Sequence, residues 1–263
     1  MIHTSLGFGI TGATDVATVR EIARRAEALG FATLWLNDTP GGDSLAGLEA
    51  AAEVTTRLGL ASGVISVDRK PAPQIIAEVR ERNLPLDRLT IGIGSAARPG
   101  ALQRVSDSLD VLRAELGVMT VVGSLGPKMR KLGAERSNGL LFNWLPPRFA
   151  AETTAQMREQ ASSQGNGAVM AATYIRTALG AESLPRLEEE AARYGASPAY
   201  AANFDRLGIT AMESAVFAVN PEEVRKGILA FDGTVDHAVV RAITATEALD
   251  DYLRLVEVVA PLA

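Results

Sequence analysis

The chain has 263 residues, 47% of them hydrophobic and 22% charged, with a formal net charge of −5. A large apolar core fits that balance and a disordered chain does not, while the acidic excess and the lack of a basic tract argue against nucleic acid or an anionic membrane surface as a partner. There are no cysteines, which excludes disulfides, thiolate chemistry and Cys-ligated metals and suits a reducing, cytoplasmic setting.

The N-terminal MIHTSLGFGIT has neither the charged lead nor the apolar run of a signal peptide. No stretch approaches the roughly 18 consecutive apolar residues of a membrane helix. Short apolar runs instead alternate with segments whose apolar residues recur every three to four positions. Strands are expected at 5–10, 33–37, 58–65, 89–93, 118–122, 139–143, 169–175 and 238–243.

The first helix, 16–29, carries Val19, Ile22, Ala23, Ala26 and Leu29 on one stripe, with Asp15 as N-cap and Gly30 as stop. An Ala-rich helix follows at 45–54. Helix 102–116 runs through Gly117 almost directly into the fifth strand. Between the seventh and eighth strands, helices are expected at 184–194, around 200–207, at 212–218 and at 222–231. The last opens with Asn220-Pro221-Glu222-Glu223, an N-cap, a proline at N1 and an acid at N3. Eight strands alternating with helices in this length indicate an α/β fold, one (β/α)8 TIM barrel spanning 1–263, with little inserted before the fifth strand and extra helices between the seventh and eighth. An open doubly wound sheet is the competitor, because local pattern does not report closure.

In such a barrel, chemistry sits at the C-terminal ends of the strands. Polar and glycine residues concentrate there: Asp38-Thr39 after the second strand, Gly63-Val64-Ile65-Ser66 in the third, Gly94-Ser95 and Arg98 after the fourth, Gly123 to Pro127 after the fifth, Asn143-Trp144 after the sixth, and Tyr174 and Arg176 in the seventh. Backbone amides at 124–127, at a helix start, suit a phosphate; Ser124 adds a hydroxyl and Arg98 a charge. At any single position, strand termination and helix capping explain the same residues. The clustering over several strands favours a site.

EIARRAEALGFATLWLND (21–38), LGLASGVISVDRKPAPQIIAE (58–78), LTIGIGSA (89–96) and above all GPKMRKLGAERSNGLLFNWLPP (126–147) resemble, in this order, the bacterial luciferase-like superfamily, and within it the branch using the deazaflavin coenzyme F420. The resemblance implies a cofactor ring over strands two to four, with Asp38 and Thr39, Gly63, Val64, Ser66, Gly94 and Ser95 around it. Gly63-Val64 matches a bulge that often carries a non-proline cis peptide. Gly123, Ser124, Leu125, Gly126 and Pro127 match the segment that holds the cofactor's phosphate, and Arg98 matches a phosphate-contacting arginine. Asn143, Trp144, Tyr174 and Arg176 would face a small-molecule substrate. The family commonly pairs through early helices, so helix 45–54 implies a homodimer.

The chain also departs from the family. Some deazaflavin dehydrogenases carry a histidine just after the strand-two acid, where this chain has Thr39, and a glutamate near Ala97. Without them a sugar-phosphate dehydrogenase is not expected, and no catalytic acid or base is assigned. The resemblance implies hydride transfer between F420 and an organic substrate. The alternatives are an FMN-dependent monooxygenase or reductase, and a flavin-binding protein without catalysis.

Gly7-Phe8-Gly9-Ile10-Thr11-Gly12 matches G-x-G-x-x-G, but its glycines fall inside the first strand, where a dinucleotide loop does not form. His3 and His237 lie near strand starts, the stability face, and no spacing suggests a metal. Glu188-Glu189-Glu190 reads as a solvated helix face, and Trp35 as packing under the helices. Trp144 reads equally as the wall of a pocket or as ordinary core.

Overall fold

The chain, described by a computed structural model over residues 4–96 and 98–261, alternates strand and helix from its start. His3 and Ala97 lie outside the described residues. The elements are β1 (Ser5–Thr11), α1 (Val16–Ala28), β2 (Thr33–Asn37), α2 (Ser44–Ala52), β3 (Gly59–Ser66), α3 (Ala72–Glu81), β4 (Leu89–Gly94), α4 (Ala101–Leu116), β5 (Met119–Gly123), α5 (Pro127–Arg136), β6 (Gly139–Asn143), α6 (Pro147–Ser163), β7 (Met170–Leu179), α7 (Leu184–Gly195), α8 (Pro198–Leu207), β8 (Val216–Ala218), α9 (Pro221–Leu229), β9 (His237–Ala242) and α10 (Leu249–Val258).

All strand pairs are parallel, and β6 also pairs with β7, so β1 to β7 and β9 close on themselves. The fold is the expected (β/α)8 barrel, and the open sheet is excluded. The short β8 lies outside the ring, against the far end of β7. It corrects the helix expected at 212–218, which is a single 3-10 turn, Met212–Ser214, followed by that strand. Val216 and Phe217 are apolar at either period, so the segment's pattern does not separate the two.

Side-chain alternation divides the core in two. Leu34, Leu36, Ile91, Ile93, Val122, Leu140 and Val240 point outward and pack beneath the helices. Trp35, Ala61, Val121, Leu141, Ala172, Tyr174 and Val239 fill the interior. Trp35 is therefore inside the barrel, not under the helices as its alternation with Leu34 and Leu36 suggested. On a strand buried on both faces, alternation does not say which face is inner.

The caps follow the sequence. Asp15 accepts from the N–H of Ala17 and Thr18, and Asn220 from that of Glu223. Gly117, at φ 64°, ends α4 and turns the chain into β5 within two residues. Helix α2 buries Ser44, Leu45, Gly47, Leu48, Ala50 and Ala51 within its own chain. No helix among the described residues is long and apolar enough to cross a membrane.

Candidate functional site

At the N-terminal end of the barrel, Trp35 Nε1 donates to Thr33 Oγ1 (2.7 Å) and His237 Nε2 (3.0 Å), and Ser5 Oγ lies 2.8 Å from His237 Nδ1. With Nε2 accepting, the ring proton sits on Nδ1 and points at Ser5. Burial pushes the His237 pKa down to about 4, so the ring is neutral. A Cβ at Gly7 would come within 2.6 Å of His237 Nε2, which explains the G-x-G run: its first glycine makes room for the histidine. At this end the polar side chains bond one another.

The C-terminal mouth is built differently. In β3 the Gly63–Val64 peptide is cis, and pairing with β4 shifts between Ser62 and Ile65. Tyr174 Oη donates to Gly63 O (3.2 Å), and a Cβ on Gly63 would lie 2.0 Å from that hydroxyl. Only glycine fits this close approach. The Val64 side chain spreads over a cradle of glycines: a Cβ at Gly94 or Gly123 would lie 2.9 Å from its Cγ2. Val64 and Gly94, expected around a ring, and Gly123, expected in the phosphate segment, thus form one surface across β3, β4 and β5.

Asp38 is buried and accepts from the Ser44 hydroxyl (2.9 Å) and from Arg69, which approaches both the carboxylate and the backbone carbonyl. It is therefore a paired acid. Thr39 starts a turn in which its carbonyl accepts from Gly42 N–H. Ser66 closes β3, its carbonyl accepting from Arg69 and Lys70. Ser95 donates to Asp68 (2.8 Å), which also takes the Ala96 N–H and Arg104. Partial burial works against ionisation there, but those hydrogen bonds and the Arg104 charge hold the Asp68 carboxyl below the usual range. Asp68 and Arg104 fix the loop after β4 and carry no motif of their own.

The turn from β5 to α5 has the most unusual polar chemistry. Pro127 opens the helix at N1, and Gly126 provides no side-chain cap, so the first amides face outward without one. Ser124 is buried and its hydroxyl has no partner. Arg130, one turn into α5, has a buried Nε without partner; burial and the nearby Arg206 charge lower its pKa to about 10. Arg206, from α8, reaches Leu125 O (3.5 Å) and donates to Asn203 Oδ1, leaving the buried Asn203 Nδ2 unpaired. Neither arginine forms an ion pair among the described residues. Arg98 is exposed, and no side-chain hydrogen bond or ion pair of it is formed among the described residues. Arg130, Asn203 and Arg206 were not singled out in the sequence. Arg130 was visible in GPKMR, four residues beyond Gly126, but Arg206 lies about 80 residues away, where only the fold brings it back.

The expected substrate residues gather on the inner side of β6 and β7. Asn143 donates to Tyr200 Oη (2.9 Å) and accepts from Arg176. Arg176 is 1% exposed, held by Glu190 at 3.0 Å, and stacked 4.3 Å from the Trp144 ring centroid and 5.0 Å from that of Tyr194. Glu190 is thus no solvated helix residue, unlike the exposed Glu188 and Glu189. Burial opposes its ionisation, but the Arg176 charge keeps its pKa low. Trp144 sits at φ 56°, 1% exposed, within an aromatic cluster of Tyr194, Tyr200 and Phe204. Tyr174 is buried beneath the mouth. Burial pushes the Tyr200 pKa up to about 12, keeping its hydroxyl protonated. Surface hollows beside Glu182 and Asp251 and beside Asn220 and Arg225 share no residue with this arrangement. Among the described residues, no group of His, Cys, Asp and Glu is arranged to hold a metal.

Residues 2–80 match the family model of luciferase-like monooxygenases. No curated protein matches the sequence. Solved structures share the fold across the chain. An F420-dependent secondary alcohol dehydrogenase in complex with an F420-acetone adduct superposes with a TM-score of 0.78 at 15% identity, covering 99% of this chain and 100% of its own. The coenzyme F420-dependent tetrahydromethanopterin reductase of Methanopyrus kandleri gives 0.75 at 14% identity, with 97% of each chain covered. The oxygenating constituent of 3,6-diketocamphane monooxygenase from Pseudomonas putida, in complex with FMN, gives 0.64 at 14%, covering 98% of this chain and 96% of its own. The sequence match is confined to the first 80 residues, and the closed barrel shares its fold along the whole chain with these luciferase-like enzymes.

Proposed function

We propose that the chain is an oxidoreductase that binds F420 at the C-terminal mouth and passes a hydride between it and a small organic substrate. One observation carries the cofactor reading: the buried, unpartnered donors of Ser124, Arg130 and Asn203 converge with Arg206 on an uncapped helix start. That donor set suits a phosphate. Ser124, the amides of Leu125 and Gly126, Arg130, Asn203 and Arg206 would hold the phosphate. Asp38, Thr39, Val64 on its glycine cradle, Ser66, Gly94 and Ser95 would border the ring. When bound, the deazaflavin supplies the hydride chemistry; the protein supplies orientation and charge. The protonated Tyr200 hydroxyl and Arg176, both tied to Asn143, line the substrate side.

The match of residues 2–80 to a monooxygenase family favours a second reading with FMN. Titration of the purified protein with F420 and with FMN, followed by fluorescence quenching, decides between them. Tight FMN binding without F420 binding overturns the first reading. Binding of a cofactor with no hydride transfer to any of a range of alcohols and enones favours a binding protein. The homodimer through early helices is part of the same proposal, and sedimentation showing a monomer at micromolar concentration contradicts it.

A further inference from the structure

The inner faces of β7 and β9 place charge where a barrel interior ordinarily holds none. Arg176 and Arg241 stand in register on neighbouring strands, 1% and 6% exposed. Arg241 lies on the same strand face as His237 and Val239, which point into the barrel. One carboxylate serves this region. Glu190 Oε1 takes Arg176 at 3.0 Å and Oε2 lies 3.8 Å from Arg193. Arg241 adds to the positive charge felt by Glu190 but has no ion pair of its own among the described residues. Among the described residues its side chain donates only to the carbonyl of the next residue, Ala242, and its buried Nε has no partner. Across the sheet its register partner on β1 is Gly9, which contributes no side chain.

A buried guanidinium does not shed its proton, and an uncompensated buried charge costs several kcal/mol. Tyr252 feels both the Arg241 charge and the Glu247 carboxylate, and Glu247 is paired with Arg186 at 2.7 Å. A planar fork with a free Nε–H matches a carboxylate in two-point contact. We propose that Arg241 anchors an anionic group of the substrate, a carboxylate, so that the molecule handled at this mouth is an organic acid and not a neutral alcohol or ketone. The word substrate rests on the oxidoreductase reading; the anion site does not.

The test is calorimetric titration of the full chain, cofactor-free and then loaded with F420 or FMN, with cinnamate and cinnamamide, hexanoate and hexanamide, and inorganic phosphate. At least one carboxylate should bind tenfold or more tightly than its amide. Arg241→Met should lose that binding by tenfold or more without lowering Tm, because it removes a buried charge that has no ion pair of its own among the described residues, and Arg24→Gln, on the outer face of α1, should leave it intact. Arg241→Lys keeps the charge but not the fork and should weaken carboxylate binding several-fold, which covers the case in which Arg241→Met does not fold. Equal affinity for acid and amide, no carboxylate binding in any state, or wild-type binding in the variants overturns the proposal. So does loss of phosphate binding in Arg241→Met with Arg130→Gln unaffected, which would assign Arg241 to a cofactor tail. If neither F420 nor FMN binds while carboxylates do, the oxidoreductase reading fails and the anion site stands.

Discussion

The two ends of the barrel are made by the same strands and obey opposite rules. At the N-terminal end, Trp35, Thr33, His237 and Ser5 satisfy one another, and Ser5 passes the chain on to the Asp236 carbonyl. Asp236 in turn accepts from Ala171 N–H and pairs with Arg158. At the C-terminal end, Ser124, Arg130, Trp144, Asn203 and Arg241 keep buried donors without acceptors. Buried polar groups are nearly always paired, so each exception asks for a reason. Thr14, Arg82, Thr154, Thr173 and Tyr252 also keep buried polar atoms without partners among the described residues, but at the mouth these donors are the ones that the proposed phosphate and substrate anion would complete.

The largest expected effect breaks the quiet end. His237 has a folded pKa of about 4 against an ordinary 6.5. Between those values the unfolded chain binds the extra proton, so stability is complete above pH 6.5 and falls as the pH drops toward 4. At about 1.4 kcal/mol per pH unit the loss is about 3 kcal/mol. Urea unfolding across this range should show the slope, and His237→Gln should flatten it. The second effect joins the two ends. Gly63→Ala forces a Cβ against the Tyr174 hydroxyl and should cost about 2 kcal/mol. Adding Tyr174→Phe should recover part of it; a simple sum of the two losses would refute the contact as the cause. Third, Arg130→Gln should weaken phosphate-bearing cofactors about tenfold, equivalent to about 1.4 kcal/mol, with little change in Tm. The smallest effect is Ser124→Ala. It removes a hydroxyl that bonds nothing among the described residues, so Tm should hold or rise slightly while phosphate affinity falls a few-fold. A loss of more than about 1 kcal/mol of unfolding free energy, on the order of a lost hydrogen bond, would mean the hydroxyl is structural.

The same contrast separates what was legible in the sequence from what was not. Strand positions were readable because β-branched runs ended at Gly and Ser, and helix starts because Asp15 and Asn220 cap them. The irregularity at Gly63-Val64 and the helix start at Pro127 were legible through local residues and the family resemblance, while the approach of Tyr174 to Gly63 was not. The direction of Trp35 was not, because a strand apolar on both faces carries no inner mark. Arg206 and Asn203, on α8, meet the turn after β5 only through the fold, and Arg241 reads in the sequence as one more charge in an apolar strand. Their significance lies in missing partners, a property of three-dimensional neighbours. Glu190 shows the reverse: it looks like its exposed neighbours Glu188 and Glu189 until the structure sets it against Arg176.

The central claim is that the turn after β5 holds the phosphate of a flavin-type cofactor. Calorimetry with four ligands tests it directly: FMN, riboflavin, F420 and the deazaflavin ring lacking its phosphate tail. The account predicts that the phosphorylated member of at least one pair binds tenfold or more tightly, and that Arg130→Gln removes that advantage while leaving the bare ring's affinity unchanged. Equal affinity with and without the phosphate, or an advantage that survives in Arg130→Gln, contradicts it.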